Sequence, residues 1–340
     1  MFRPIIIFLL IIFPINIYAQ DSMKHTMKIA FYNLENLFDT EDDPETRDEE
    51  FTPEGARRWN DHRFYKKIYS TFKVLVAMGE WEPPAFVGFC EVENREVVNS
   101  LIFDSPLKFR KYSVIHFDSP DKRGIDVAAI YRHDILKLLV ARPLKVAGKN
   151  GLSEERRNIL YAEFEIPGKD TIHIFVNHWP SRYGGYTETA GDRFKVAEIL
   201  KDSIDKILIM KRDAKIILMG DFNDEPADMS LLVLSGRQNV RDSGDSSLIN
   251  LMEQKDYLWQ GTIKHEGQWF IFDQLLVSKA LISDETGVVI DGRAEIFDPD
   301  FLLEDDLQYT GKRPCRTYNG YKYNGGFSDH LPVYLDLIVK

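Results

Sequence analysis

Short apolar runs recur along this chain at strand length, and most are apolar throughout rather than alternating. MKIAFYNL, PAFVGFCEV, KYSVIHF, DVAAIYR, LKLLVARPLKV, NILYAEFEI, TIHIFVNHW, KIILMGDFN, WFIFDQLLVS and LPVYLDLIV are all rich in β-branched or aromatic residues. Continuous apolarity suits strands covered on both faces. YAEFEI alternates instead, as expected nearer an edge or a wetted face. Helical patterning replaces the strand signal over about 61–78 and about 189–211. The second helix places Ala197, Leu200, Ile204 and Leu208 on one stripe. Groups of consecutive strands separated by a few helices predict two mixed sheets packed together, with helices outside. No repeat, low-complexity linker or composition break marks a second domain, so residues 20–340 read as one.

Two stretches lack sustained periodicity. Residues 39–55, DTEDDPETRDEEFTPEG, are acidic and turn-rich, and about 284–326 is rich in Gly, Asp, Asn and Tyr. Loops this long in a compact domain are often functional, and here they are the expected seat of substrate selectivity. The start of the chain has a pattern of its own. Arg3 precedes a continuous apolar stretch from Ile5 to Phe13, Pro14 interrupts it, and Ala19 stands before Gln20. That is the order of a secretory signal, and the apolar core is too short to span a bilayer comfortably. Residues 1–19 are therefore read as a signal peptide. The mature protein is expected to be exported, to the periplasm or the medium, with no stable membrane insertion after cleavage.

Composition narrows the class. The chain is 44% hydrophobic and 12% aromatic, ample for a large core, and its net charge is −11. Removing Arg3 with the signal leaves 42 basic against 54 acidic residues. That balance opposes broad attraction to nucleic acid or anionic membranes, though a local groove or a bound metal ion can reverse it. The two cysteines, Cys90 and Cys315, make neither a disulfide framework nor a cysteine metal site. Cys90 sits in AFVGFCEV and reads as a buried small hydrophobe.

Candidate chemistry appears where the apolar runs begin, end or break. Asn33 and Glu35 follow KIAFY, Glu91 follows AFVGFC, Asn177 and His178 follow IHIFV, and Asp221 and Asn223 follow IILMG. Asp273 lies inside WFIFDQLLVS, and Ser328, Asp329 and His330 precede LPVYLDL. Singly, most of these suit turns or ordinary surface. Asp273 is harder to dismiss, because a carboxylate in an apolar strand must find a partner or neutralise. Together they put carboxylates, asparagines and two histidines at strand ends, where sites are built. Oxygen ligands without cysteine suit Mg²⁺, Mn²⁺ or Ca²⁺ better than zinc. A hard ion with two histidines and spare carboxylates fits phosphoryl chemistry. No P-loop, dinucleotide fingerprint or Gly-x-Ser-x-Gly elbow is present.

The ordered series Asn33-Leu-Glu35, Glu91, Asn177-His178, Gly220-Asp-Phe-Asn223, Asp273 and Ser328-Asp-His330 resembles the endonuclease/exonuclease/phosphatase superfamily, typified by DNase I and exonuclease III-type enzymes. The resemblance runs from about Ile29 to the C-terminus. It implies a four-layer αββα sandwich with the site at one rim of two mixed β-sheets packed face to face. Carried over, it makes Glu91 the principal ligand of Mg²⁺ (or Mn²⁺ or Ca²⁺), helped by Asn33, Glu35 and Asp329. His330, oriented by Asp273, would deprotonate or position water; Asp221 and Asn223 would hold the nucleophile and the pentavalent phosphate. The choice of base between His330 and Asp221 stays open. His178 would bond a phosphate oxygen or assist the leaving group, with Asn177 beside it. The chain departs from the family pattern at Cys90, Glu35 and Gln274.

Three further features bear on the substrate. Arg182 and Arg123 are candidate phosphate-binding forks. Arg57, Arg58, Arg63, Lys66 and Lys67 around Trp59 read mainly as a solvated helix face. The leading expectation is a secreted, monomeric, metal-dependent phosphodiesterase acting as a nuclease on extracellular DNA or RNA, with no protein partner. A phosphatase or lipid-headgroup phosphodiesterase is the alternative, and a non-catalytic Ca²⁺-dependent binding module stands behind both.

Overall fold

All ten apolar runs form strands. In the computed structural model, the described residues are 25–80, 82–236, 248–253, 260–282 and 287–340. The expected signal peptide lies outside them. The first sheet takes β1 (His25–Leu37), β2 (Phe86–Val92), β3 (Tyr112–His116) and β4 (Asp126–Arg132) from the first half of the chain. The second sheet takes β5 (Lys137–Leu144), β6 (Ile159–Glu165), β7 (Thr171–His178), β8 (Lys215–Asp221), β9 (Leu248–Asn250) and β10 (Asp273–Ser278). Strands β11 (Val288–Ile296) and β12 (Val333–Val339) return to the first sheet. The orders are β11-β12-β1-β2-β4-β3 and β5-β6-β7-β8-β10-β9. Each sheet is antiparallel except for one central parallel pair, β1–β2 and β7–β8 respectively.

Alternation along the strands explains the layering. Ile174 and Val176 of β7, Ile217 and Met219 of β8, and Leu275 and Val277 of β10 join the core against the first sheet. The intervening Phe175, Ile216, Leu218 and Leu276 join a second core against Ala197, Leu200, Ile204 and Leu208. Those four lie on α3 (Tyr186–Met210), while α1 (Asp61–Gly79) and α2 (Arg95–Phe103) cover the other side of the sandwich. This is the expected four-layer αββα order. Gly88 sits where the sheets touch: a Cβ there would lie 2.8 Å from Met219 Sδ and 2.9 Å from Val176 Cγ1. Any side chain would push the sheets apart.

Two expectations need correction. The segment about 284–326 is not one long loop, because β11 pairs along β12 with a bulge between Asp291 and Glu295. Its VVIDGRAEI sequence carries the half-exposed pattern of an edge strand, masked by a Gly at its centre. Lys67 is buried rather than solvated; its ammonium donates to Thr317 Oγ1 at 2.6 Å and to the Phe327 carbonyl at 2.5 Å. Helix α2 and the short α4 (Met229–Leu234) were not legible from periodicity, although Asn94 caps α2 by accepting from Val97 N. Cys90 and Cys315 are both free thiols. Among the described residues no helix is long and apolar enough to cross a membrane.

Candidate active site

Register delivers the site. Along the second sheet, His178 of β7 pairs with Asp221 of β8, and Asp221 pairs with Asp273 of β10. All three share parity with the inward residues of their strands, so their side chains point between the sheets at one rim. From the first sheet, Asn33 pairs with Cys90. Asn33 Nδ2 donates to Asp221 Oδ2 at 3.1 Å, linking the sheets across the rim. Strict alternation would send Glu91 toward the helices. The strand is broken there by a bulge, and Glu91 takes a left-handed backbone with φ 57°. The bulge turns its carboxylate back to the rim. The same device recurs on β1, where Glu35 and Asn36 have φ 49° and 58°, and after β8, where Asn223 has φ 51°. Left-handed non-glycine residues cost about 1–3 kcal/mol each and gather at functional sites.

Close approach supports β8 as well. A Cβ on Gly220 would lie 2.4 Å from the Asn177 carbonyl oxygen and 2.6 Å from Asn177 Cβ. Only glycine lets β7 and β8 run this tightly beside Asp221.

His178, Asp221, Asp273 and His330 are buried, while Glu91 is partly exposed. His330 Nδ1 lies 2.6 Å from Asp273 Oδ2, and its Nε2 faces Asp221 Oδ2 across 3.8 Å. His178 Nε2 faces the same Asp221 oxygen and Glu91 Oε1, each at 3.8 Å. Asp221 Oδ1 accepts from Asn223 N at 2.9 Å, and Glu91 Oε2 accepts from Asn36 N at 3.0 Å. Burial and the neighbouring Asp273 push the Asp221 carboxyl up to about 7, against the field of His330. Burial would lower the His330 imidazolium, but the Asp273 and Asp221 carboxylates hold it well above the usual histidine range. Burial, with Arg157, Arg123 and His330, holds His178 well below that range and keeps it neutral. One fold thus pushes two imidazoles in opposite directions around Asp221.

These groups fit a hard divalent ion. Glu91 Oε1 has, among the described residues, no ion-pair or hydrogen-bond partner other than His178 Nε2 at 3.8 Å. Asp221 Oδ2 stands on the same imidazole, and one oxygen of Asp273 is buried without a partner. Glu91 and Asp221, with Asn33 beside them, are the residues that would hold the ion.

Not every expected residue reaches the centre. The Asn177 amide donates to the Met219 carbonyl at 3.1 Å and accepts from Trp179 Nε1 at 3.2 Å. It is fully buried, and its amide is taken up by these partners within the fold. Arg182 donates to the Asn223 carbonyl at 2.8 Å and pairs with Asp228 at 2.8 Å and Asp224 at 3.3 Å. It also stacks on Phe272 and Tyr186. Arg182 therefore braces the loop after β8. Asp224 belongs to that brace, paired with buried Arg193 at 2.7 Å. Glu35 and Asp329 do reach the rim, but Arg316 holds both: Nε to Glu35 Oε1 at 3.1 Å and Nη2 to Asp329 Oδ2 at 2.8 Å. Arg123 is exposed and leans on Asp121 at 3.6 Å.

Three residues were missed: Arg157, Lys67 as a buried group, and Arg316. Arg157 donates to the carbonyls of His178 and Trp179 at 3.2 and 3.0 Å and pairs with Asp121 at 2.5 Å.

Converging carboxylates, two imidazoles and an asparagine on the rim of two packed mixed sheets define a metal-dependent phosphoester hydrolase. A model of the Endonuclease/Exonuclease/phosphatase family matches residues 28–339, and the chain belongs to that family. Solved structures share the fold at low identity. A mannosyl-6-phosphatase from Bacteroides thetaiotaomicron is 15% identical with a TM-score of 0.55, covering 92% of this chain and 99% of its own. D. rerio TDP2 complexed with a single strand DNA product is 14% identical, with a TM-score of 0.54 and coverage of 92% and 98%. The human Nocturnin catalytic domain with bound sulfate is 14% identical, with a TM-score of 0.55 and coverage of 93% and 98%. No curated protein sequence matches the chain.

Proposed function

We propose that the protein is an exported phosphodiesterase that cleaves nucleic acid with Mg²⁺, a reading carried by the three 3.8 Å separations around Asp221. His178 to Glu91, His178 to Asp221, and His330 to Asp221 are each too far apart for a direct hydrogen bond. A water oxygen seated to one side of each gap can hydrogen-bond to both atoms. The metal, when bound, would neutralise phosphate oxygens and sharpen the acidity of water. Everything else falls to the chain. Asp221, held by Asn33 and Asn223, orients the attacking water. His330, steered by Asp273, sits opposite to exchange a proton with that water or stabilise phosphate charge. Neutral His178 donates through Nε2 to a phosphate oxygen.

The nucleic-acid reading draws on a flank beside Glu35. Arg57 stacks over Tyr318 and Tyr321, and Arg63 and Lys66 over Tyr323. Tyr321 is 68% exposed. Cations interleaved with tyrosines suit a single strand, whose bases stack and whose phosphates pair. A second reading, a small phosphomonoester, draws on a cavity of about 560 Å³ lined by Asp39, Asp42, Asp43, Glu93, Asp118 and Asp121 together with Lys122, whose acidic wall disfavours a strand of many phosphates more than a single phosphate.

A panel of single-stranded DNA, RNA, plasmid DNA, bis-p-nitrophenyl phosphate and hexose 6-phosphates, each with Mg²⁺ or EDTA, separates the two. Metal-dependent cleavage of the diesters is the expected result. Activity confined to monoesters would transfer the proposal to the second reading. Fractionation of the native host tests export: the mature chain, lacking its first nineteen residues, is expected outside the cytoplasm.

A further inference from the structure

Arg316 reaches the rim from a loop and takes two carboxylates at once. Its Nε donates to Glu35 Oε1 at 3.1 Å and its Nη2 to Asp329 Oδ2 at 2.8 Å. The other Glu35 oxygen accepts Thr317 N at 2.6 Å, so that carboxylate is used on both sides while only 6% of the residue is exposed. The backbone on either side of Arg316 is tied down. Cys315 N donates to the Leu302 carbonyl at 2.7 Å, and Phe327 N donates to the Cys315 carbonyl at 2.6 Å. Asn324 Nδ2 donates to the Arg316 carbonyl at 3.1 Å. On the next residue, the Thr317 carbonyl accepts from Asn324 N and Gly325 N, and Thr317 Oγ1 accepts from buried Lys67. The loop presents this guanidinium as a fixed part of the rim.

Two carboxylates brought together on a protein rim can be neutralised by a divalent ion or by a built-in cation. A forked guanidinium satisfies them directionally, with two charge-assisted hydrogen bonds. A metal arriving at the Glu35–Asp329 corner would have to displace the guanidinium from both carboxylates and the Thr317 amide from Glu35. The Arg316 side chain is 39% exposed, so the cost of that exchange lies in the two charge-assisted hydrogen bonds and the amide bond given up at the buried Glu35 carboxylate. The carboxylate oxygen that no arginine or lysine holds is Glu91 Oε1, which faces the imidazole of His178 at 3.8 Å.

We propose that Arg316 is a resident cation occupying the Glu35–Asp329 corner, so that the site takes one divalent ion, at Glu91, and not two. The inference rests on the metal-dependent reading of the site and deepens it. It also assigns Glu35 and Asp329 to holding Arg316 in place of holding metal. Removing the guanidinium exposes two acidic residues to solvent and creates a second site for a hard ion.

Counting bound Mn²⁺ by the loss of its free electron-paramagnetic-resonance signal tests this without reference to turnover. Wild-type full-length protein is expected to bind a single Mn²⁺ per chain, and Glu91→Gln to lose it. Arg316→Ala is expected to bind a second ion, as is Arg316→Gln, which keeps much of the side-chain stem and covers the case in which alanine unfolds the loop. Arg316→Lys, which keeps a positive charge, is expected to remain at one. Two ions on the wild type, or one on both neutral variants with native near-ultraviolet circular dichroism, would overturn the proposal. An active wild type that binds no Mn²⁺ and ignores EDTA would overturn the metal reading beneath it.

Discussion

His330 Nδ1 stands 2.6 Å from Asp273 Oδ2, a buried pair joined across 57 positions of sequence. Asp273 opens the apolar strand β10, His330 comes from the turn before the last strand, and the isolated bridge between Ile263 and His330 keeps that turn in place. The carboxylate fixes which imidazole nitrogen faces Asp221. Asp273→Asn keeps the shape and loses the charge. Its kcat on a diester is expected to fall by roughly 10²–10⁴-fold, with KM little changed, as read by steady-state kinetics. A variant with wild-type kcat would remove Asp273 from the mechanism.

Asn177 and His178 are neighbours with opposite duties. Because Asn177 is consumed by Trp179 and the Met219 carbonyl, Asn177→Ala is expected to destabilise the fold by about 1–3 kcal/mol in urea denaturation. The KM of the folded fraction should not change. A raised KM at undiminished stability would restore Asn177 to the substrate.

Gly220 allows no side chain. Gly220→Ala places a methyl 2.4 Å from the Asn177 carbonyl oxygen, and the strand must shift. A loss of about 1–3 kcal/mol is expected, with a drop in kcat because Asp221 is the next residue. Thermal melting and turnover check it together; a neutral outcome in both would mean the strands relax at no cost.

Asp170 clasps Lys211 at 2.8 Å and Lys215 at 2.6 Å, tying the end of α3 and β8 to the start of β7. Burial works to raise its carboxyl, yet the two lysines outweigh it and hold the pKa at about 2. A depressed folded-state pKa means stability that is present above the unfolded value of about 3.9 and lost as pH falls toward 2. Asp170→Asn should lower Tm at neutral pH and flatten the decline of Tm between about pH 4 and 2. Parallel melting curves for the two proteins across that window would contradict the assignment.

Much of this architecture is legible in the chain. Strands covered on both faces must be apolar throughout, so β2, β7, β8 and β10 announce themselves, and polar residues at their ends stand out against that background. Asp273 and His330 are readable for the same reason: a buried charge in an apolar run implies a partner. Hydrogen-bond direction is not readable. Asn177 and Asp221 occupy adjoining strand ends, but only three-dimensional packing turns one amide into the fold and the other carboxylate into the rim. Arg182 and Arg316 are equally plain arginines in loops, and their different tasks depend on which carboxylates the loops bring to them. The bulge that re-aims Glu91 leaves no periodic mark, since one extra residue resets the alternation it would have broken.

Cleavage of a single-stranded oligonucleotide by wild type and His330→Ala, each with Mg²⁺ and with EDTA, tests whether metal and His330 together drive phosphodiester hydrolysis. The expected result is cleavage by wild type with Mg²⁺, abolished by EDTA and slowed by roughly 10²-fold or more in His330→Ala. Cleavage that survives both EDTA and the loss of His330 would contradict the account.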